Sequence, residues 1–223
     1  MSDREILKGL TRESVNSEIW EAAFDLIWEI RFIAMATVKD GMPQARIFDM
    51  TLLDDGNLYF ITATGKSVFD QIQANPNIVV TGVSEDWLAV RVNAEVIEID
   101  DPVIKEKFLE KNQGTKSLYS NSPDALRYFR LERGEGEILH LYQDDMVARL
   151  RFGWNGVEPR PFVYHLDKER CTACGTCFEV CVGKAIRKGE KYRIDYFNCL
   201  ECGSCYRKCP EDAITKNNLT KKM

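Results

Sequence analysis

Residues 171–181 read Cys171-Thr172-Ala173-Cys174-Gly175-Thr176-Cys177-Phe178-Glu179-Val180-Cys181, and residues 199–210 read Cys199-Leu200-Glu201-Cys202-Gly203-Ser204-Cys205-Tyr206-Arg207-Lys208-Cys209-Pro210. All eight cysteines of the chain lie in these two runs. Both runs have the spacing C-x2-C-x2-C-x3-C, which wraps thiolates around a cubane iron–sulfur cluster. Three thiolates on one tight loop grip three iron corners, and the fourth, three residues on, ligates the other cluster. The spacing therefore assigns Cys171, Cys174, Cys177 and Cys209 to one cluster. Cys199, Cys202, Cys205 and Cys181 fall to the second. Gly175 and Gly203 let backbone N–H groups approach the cluster sulfurs, a lever on the reduction potential.

Other uses of cysteine fit less well. Disulfide frameworks belong to small secreted chains in oxidising compartments. Zinc takes pairs of C-x2-C hooks with a longer spacer between them, not four ligands within eleven residues twice over. The stretch from about Tyr164 to Ile214 resembles a bacterial-type ferredoxin with two 4Fe-4S clusters and an internal repeat. One departure is Val182, which stands where the first run would carry proline. That proline is not a ligand.

The chain has 223 residues, enough for a substantial domain ahead of the small cluster domain. Its formal net charge of −5 argues against nucleic acid as the main partner. No apolar run approaches bilayer length, and the charged N-terminal stretch MSDREILKGLTRES has no apolar signal region. The expected setting is the cytoplasm, with no membrane partner.

Helical spacing of Val15, Ile19, Ala22, Ala23, Leu26 and Ile30 predicts an amphipathic helix over 14–30. Strands are expected at 31–38, 43–53 and 58–62, with Asp54-Asp55-Gly56-Asn57 as a hairpin turn. A short helix follows over 68–74, then strands at 78–83 and 87–99. Asp101-Pro102 opens a helix to about Lys111, and Ser122-Pro123 opens another to about Leu131. Strands over 136–142 and 146–152 read as a closing pair, and the meander with the short helix and the two strands after it suggests a six-stranded antiparallel barrel. The stretch Gly153-Trp-Asn-Gly-Val-Glu-Pro-Arg-Pro161 has no periodicity and reads as a semi-rigid boundary. The expected division is 1–153, a linker at 154–163, and 164–223.

The loop Thr62-Ala-Thr-Gly-Lys-Ser67 offers hydroxyls on Thr62, Thr64 and Ser67, the cation Lys66, and the N–H groups of a helix start. These ingredients favour a phosphate; an ordinary surface turn with a helix cap is the rival reading. A Walker A loop is excluded, because Phe60 stands where that motif needs glycine. The ordered set Gly41-Met-Pro-Gln-Ala-Arg46, Leu58-Tyr-Phe-Ile-Thr62, Lys66-Ser67, Gln73-Ala-Asn-Pro-Asn77 and Trp87 to Glu95 resembles the pyridoxamine-phosphate-oxidase-like flavoproteins over roughly 15–150. The resemblance implies a mainly β fold with helices: an antiparallel split barrel binding FMN at a homodimer interface, followed by the α+β ferredoxin-like domain. It implies that Arg46 meets the FMN phosphate or ring edge and that Thr62, Lys66 and Ser67 form the phosphate loop, with Thr64 available as a further hydroxyl. Backbone groups of Ile47 and Phe48 would lie along the isoalloxazine ring, and Trp87, Arg91 and Asn93 would reach across from the other subunit. Trp87 reads equally well as an aromatic filling a barrel end, and Arg91 as a strand arginine in a salt bridge. His140 and His165 read as structural.

The cluster motifs weaken any case for pyridoxamine phosphate oxidation, which hands electrons to oxygen. The expected function is an FMN-dependent oxidoreductase. Electrons from a ferredoxin would pass through two 4Fe-4S clusters to FMN and on to a small-molecule substrate. A flavin-carrying relay without its own substrate, or a redox sensor, are the alternatives. No side chain is singled out as general acid or base, although Tyr59, Tyr142 and Asp49 are available.

Overall fold

The computed structural model describes residues 7–140 and 147–217. The chain forms two compact units, Met1–Ile138 with Arg151–Pro159, and Leu139–Leu150 with Arg160–Met223.

In the first unit, α1 spans Asn16–Ile30 and buries Ile19, Ala23, Phe24, Leu26 and Ile27. Val15 caps it in extended backbone and is exposed. The Glu18 carboxylate accepts from the Val15 N–H at 3.1 Å, which satisfies one donor that the helix start leaves open. The strands are β1 (Phe32–Lys39), β2 (Met42–Asp49), β3 (Thr51–Leu52), β4 (Leu58–Ala63), β5 (Asn77–Val83), β6 (Leu88–Ile99), β7 (Leu126–His140) and β8 (Ala148–Trp154). They form one curled sheet in the order β2-β1-β5-β6-β7-β4-β3, with β8 on β7. The sheet is an eight-stranded half-barrel rather than a barrel of six strands; one added strand arises where the expected second strand breaks at Met50 and a separate β3 forms.

Helix α2 spans Ser67–Ala74, α3 spans Pro102–Lys111 and α4 spans Gln113–Leu118. Asp101 caps α3, its carboxylate accepting from the N–H groups of Val103 and Ile104. The helix expected over 123–131 is a strand. Ser122-Pro123 starts only a single 3-10 turn, Pro123–Ala125. Along the start of β7 Leu126, Tyr128, Phe129 and Leu131 are buried, and Arg127 and Arg130 are half-buried. Registry with β4, Phe60 opposite Phe129 and Thr62 opposite Arg127, outweighs the proline start signal. Phe60 and Phe129 stack at 5.3 Å in the core. The expected strand ends at Tyr142 and Met146 lie outside the described residues.

Tyr59 is buried, and its hydroxyl donates to Asp55 at 2.6 Å. Burial first, and then the Asp55 carboxylate, push the phenol up to about 12. The fold therefore favours the protonated phenol. Its contribution is present below the ordinary value of 10 and is lost as pH rises from 10 to about 12. Tyr59→Phe is expected to make the alkaline fall in stability shallower over that window, as read by urea denaturation at stepped pH.

The second unit carries short β9 (Tyr164–Leu166), α5 (Thr176–Glu179), β10 (Ile186–Arg187), β11 (Arg193–Ile194), α6 (Ser204–Lys208) and β12 (Ile214–Lys216). Its features recur 28 positions on, as Cys171 does at Cys199. Ala173 and Glu201 share a left-handed backbone, at φ 59° and 54°. Gly175 and Gly203 precede α5 and α6 at φ 89° and 74°. The pairing of β10 with β11 through Ile186 and Ile194 recurs as β12 with β9 through Ile214 and Leu166. The unit is a pseudo-twofold repeat with its own small core of Tyr164, Cys177, Ile186 and Ile214.

Candidate functional site

The repeat folds each cysteine run around a void and lends its last cysteine to the other. One cavity, about 310 Å³, is lined by Cys171, Cys174, Cys177 and Cys209. The other, about 350 Å³, is lined by Cys181, Cys199, Cys202 and Cys205. These are the two sets expected from the spacing. The thiols also interact electrically in the same sets. Burial, then the neighbouring Cys171, Cys209 and Cys174, push the Cys177 thiol up. Burial, together with Cys199, Cys181 and Cys202, pushes Cys205 up to about 11. Among the described residues, no three His, Cys, Asp or Glu side chains converge on a position for a single metal ion. Four crowded sulfurs around a void suit a polynuclear centre, whose irons keep the thiolates ionised where burial alone would protonate them.

Backbone donors are already aimed at the sulfurs. Ala185 N–H donates to Cys181 Sγ at 3.1 Å, and its counterpart Ala213 donates to Cys209 Sγ at 3.3 Å. The glycines act through φ and space. A Cβ on Gly203 would lie 2.5 Å from the Tyr164 hydroxyl, and one on Gly175 would lie 3.3 Å from that of Tyr192. Each tyrosine lines one cavity.

Sequence reasoning missed Glu201 and Arg149. The Glu201 carboxylate accepts from Arg149 Nη1 at 2.8 Å and from the Val163 N–H at 2.7 Å. Both side chains of the ion pair are less than a tenth exposed. Nearby, Asn198 Nδ2 donates to the Val147 carbonyl at 2.7 Å, and Asn198 Oδ1 accepts from Arg187 at 2.6 Å. The only signal available was a large acidic residue inside a tight cysteine loop; its partner lies 52 positions upstream. The reading of His165 as structural agrees with its ring nitrogens lying 2.9 Å from the Tyr196 hydroxyl and 2.7 Å from Asn217.

In the barrel unit, Arg46 donates to Thr37 Oγ1 at 2.7 Å and to Gln71 Oε1 at 2.9 Å. Gln71 lies on α2, one turn beyond Ser67, so Arg46 is clamped along the helix that the 62–67 loop opens. Thr64, Lys66 and Ser67 are exposed, and no side chain caps α2. Its first N–H groups and Lys66 thus make a cationic, donor-rich corner suited to a phosphate. Thr62 is different. Its side chain is buried, and its hydroxyl has no hydrogen-bond partner among the described residues.

Register separates the remaining residues. Arg46 lies opposite Met35, which lies opposite Val80 and then Val92, all buried. Ile47 lies opposite Ala34, then Thr81, then Arg91 on the other face of the sheet. Arg91 and Asn93 therefore face away from Arg46. Arg91 makes an ion pair with Glu137 at 2.7 Å, and Asn93 donates to Glu135. Trp87 stands in the turn before β6 at φ 62° and is 57% exposed, so it does not fill a barrel end. Phe48 is half-buried and packs edge-on against Phe60 at 5.4 Å. Of the available acids and bases, Asp49 pairs with Arg31 at 3.1 Å. Tyr59 is committed to Asp55, and Tyr142 lies outside the described residues.

The family model described as pyridoxamine 5'-phosphate oxidase matches residues 19–135, and that of a 4Fe-4S dicluster domain matches residues 164–210. Among solved structures, the chain is similar to a NimC/NimA family protein from Clostridium acetobutylicum. The two share 22% identity over 69% of this chain and 99% of that one, with a TM-score of 0.55. It is also similar to a pyridoxamine 5'-phosphate oxidase-related, FMN-binding protein from Nostoc punctiforme. That likeness is 17% identity over 60% of this chain and 87% of that one, with a TM-score of 0.43. No curated protein matches. No helix among the described residues is long and apolar enough to cross a membrane.

Proposed function

Because the chain belongs to the pyridoxamine 5'-phosphate oxidase family and carries a 4Fe-4S dicluster domain behind the barrel, we propose that it is an iron–sulfur flavoprotein oxidoreductase. It takes electrons from a ferredoxin through two 4Fe-4S clusters to FMN, and delivers them to a small-molecule substrate. The observation that carries this reading is the joining of two four-thiol cavities to a flavin-type barrel in one chain. FMN, when bound, collects electrons singly and releases them in pairs, which gives a one-electron relay access to two-electron chemistry.

In this reading Arg46 is held ready by Thr37 and Gln71 and, with Thr64, Lys66 and Ser67, binds the FMN phosphate. Ile47 and Phe48 lie along the ring, and Trp87, Arg91 and Asn93 contribute from a second copy. A homodimer is favoured by the outer face of β1, β2 and β5. Phe32 and Ile47 are both 66% exposed there, with Val38 and Val83 on the same face. Residues 1–153 serve as the flavin domain, 154–163 as the spacer and 164–223 as the relay. The working compartment is the cytoplasm. The engagement of Tyr59 and Asp49 in ion pairs and hydrogen bonds favours a substrate-free relay as the second reading.

Anaerobically reconstituted protein is expected to show flavin bleaching when reduced ferredoxin is added. Clusters that reduce beside a flavin that stays oxidised would overturn the proposal. Arg46→Ala is expected to weaken FMN binding about tenfold to a hundredfold, the worth of one charged hydrogen-bonding group. Fluorescence titration of the apoflavoprotein checks this, with the iron content unchanged as the control.

A further inference from the structure

The charge of the chain is unevenly divided. Residues 160–223 contain 13 Lys and Arg against 8 Asp and Glu, net +5, whereas residues 1–159 contain 17 against 27, net −10. Loaded clusters carry negative charge and lower the first figure, so where the cations sit matters more than their sum. Five of the 13 fall between Lys184 and Arg193, with Glu190 as the one carboxylate in that stretch. Arg187 is taken up by Asp195 at 2.9 Å. Lys184, Lys188, Lys191 and Arg193 are exposed along the β10–β11 hairpin.

Ile186 and Ile194 in the strands of this hairpin line the cavity of Cys181, Cys199, Cys202 and Cys205, whereas its tip reaches the other cavity. Lys191 Nζ donates to the carbonyl oxygen of Cys171. Lys188 lies 4.4 Å above the ring of Phe178, which is 42% exposed and 6.3 Å from Tyr192. Tyr192 lines the cavity of Cys171, Cys174, Cys177 and Cys209, and Cys174 is exposed. The pseudo-twofold repeat provides an internal control. At the other cavity, the counterparts of Lys184, Lys191 and Arg193 are Asp212, Val163 and His165; Lys188 alone keeps a cation, Lys216. The basic hairpin thus departs from the symmetry of the fold, while at the other cavity the exposed Arg207 and Lys208 stand where this one has Glu179 and Val180. Acids near it are Glu190 at the hairpin tip, Glu179 beside Phe178 and Glu211 on the cavity lining.

We propose that the β10–β11 hairpin and Phe178 form the docking surface for an acidic one-electron carrier protein, which delivers its electron to the centre of Cys171, Cys174, Cys177 and Cys209. This rests on the electron-transfer function proposed above and adds the place of entrance and the charge of the partner. In the step, the carrier loses one electron and the centre gains one; no bond forms or breaks. Electron-transfer encounters use small interfaces, and opposite charge mainly raises the rate of encounter. An exposed aromatic with Lys188 over its ring, beside a basic hairpin and the four-thiol cavity, meets both needs.

The test is stopped-flow reduction of the holoprotein by a reduced acidic 4Fe-4S ferredoxin, at low and high salt, with photoreduction by a deazaflavin as the carrier-free control. The wild-type rate is expected to fall about tenfold or more as salt screens the pair. Lys188→Glu with Arg193→Glu should slow the low-salt reaction about tenfold, converge with wild type at high salt, and leave photoreduction unchanged. Lys216→Glu at the counterpart position should match wild type. Equal rates for wild type and the double variant at low salt, or a wild-type rate that rises with salt, would overturn the docking surface. The same traces separate this from the proposed function. Salt-sensitive cluster reduction with a flavin that stays oxidised keeps the docking surface and rejects the path to FMN.

Discussion

Glu201→Ala is expected to destabilise the iron–sulfur unit by about 3–5 kcal/mol, because it takes away the carboxylate paired with the buried Arg149. Surface ion pairs of the same length are worth far less, at most about 1 kcal/mol. The difference is solvent: Arg149 and Glu201 are 8% and 9% exposed, so water cannot replace the lost partner. The substitution also removes the acceptor for the Val163 N–H at the start of the tail. Thermal denaturation of the holoprotein, followed by cluster absorbance, should show an earlier transition for Glu201→Ala. Changing Arg149→Met and Glu201→Leu together should recover much of the loss, since the buried charge goes with its partner. An unchanged transition in Glu201→Ala would mean that the pair carries no stability.

The second large effect concerns ligand exchange between the cysteine runs. Cys209→Ala is expected to eliminate the cluster of Cys171, Cys174 and Cys177, although Cys209 belongs to the second run. Iron content should fall by about half, as one of two four-ligand centres loses closure. The residual electron paramagnetic resonance spectrum of Cys209→Ala should match that of Cys171→Ala. Cys181→Ala should likewise match Cys199→Ala. If Cys209→Ala instead shares its spectrum with Cys199→Ala, each run closes on itself and the crossed assignment is wrong.

Much of this was legible because local chemistry and tertiary structure agree. Cysteine spacing pointed to the thiols that share a cavity, the last cysteine of each run going to the other. Strands β1, β4, β5 and β6 followed alternation and hairpin chemistry to within a few residues. The helix over 123–131 failed because Ser122-Pro123 is a genuine start signal that lasts one turn, after which pairing with β4 takes over. The contacts of Arg91 were half legible: a strand arginine in a salt bridge was foreseen, but Glu137 lies 46 positions away. The opposition of Arg46 and Arg91 across the sheet needed the register of four strands, which alternation within one strand does not supply. Arg149 and Glu201 were illegible for a similar reason. Nothing in a strand end at 149 announces a partner in a cysteine loop at 201.

The crossed loops also set an order on biosynthesis. A ribosome releases Cys171, Cys174 and Cys177 well before Cys209, yet the cavity they line is completed only by that last thiol. The opposite holds for Cys181, which waits on the polypeptide for Cys199, Cys202 and Cys205. Neither cavity can close from the first run alone. A chain broken off before Cys199 holds no complete set of four; synthesis as far as Cys205 completes the set that includes Cys181, and Cys209 completes the other. Quality control is thereby written into the order of the cysteines.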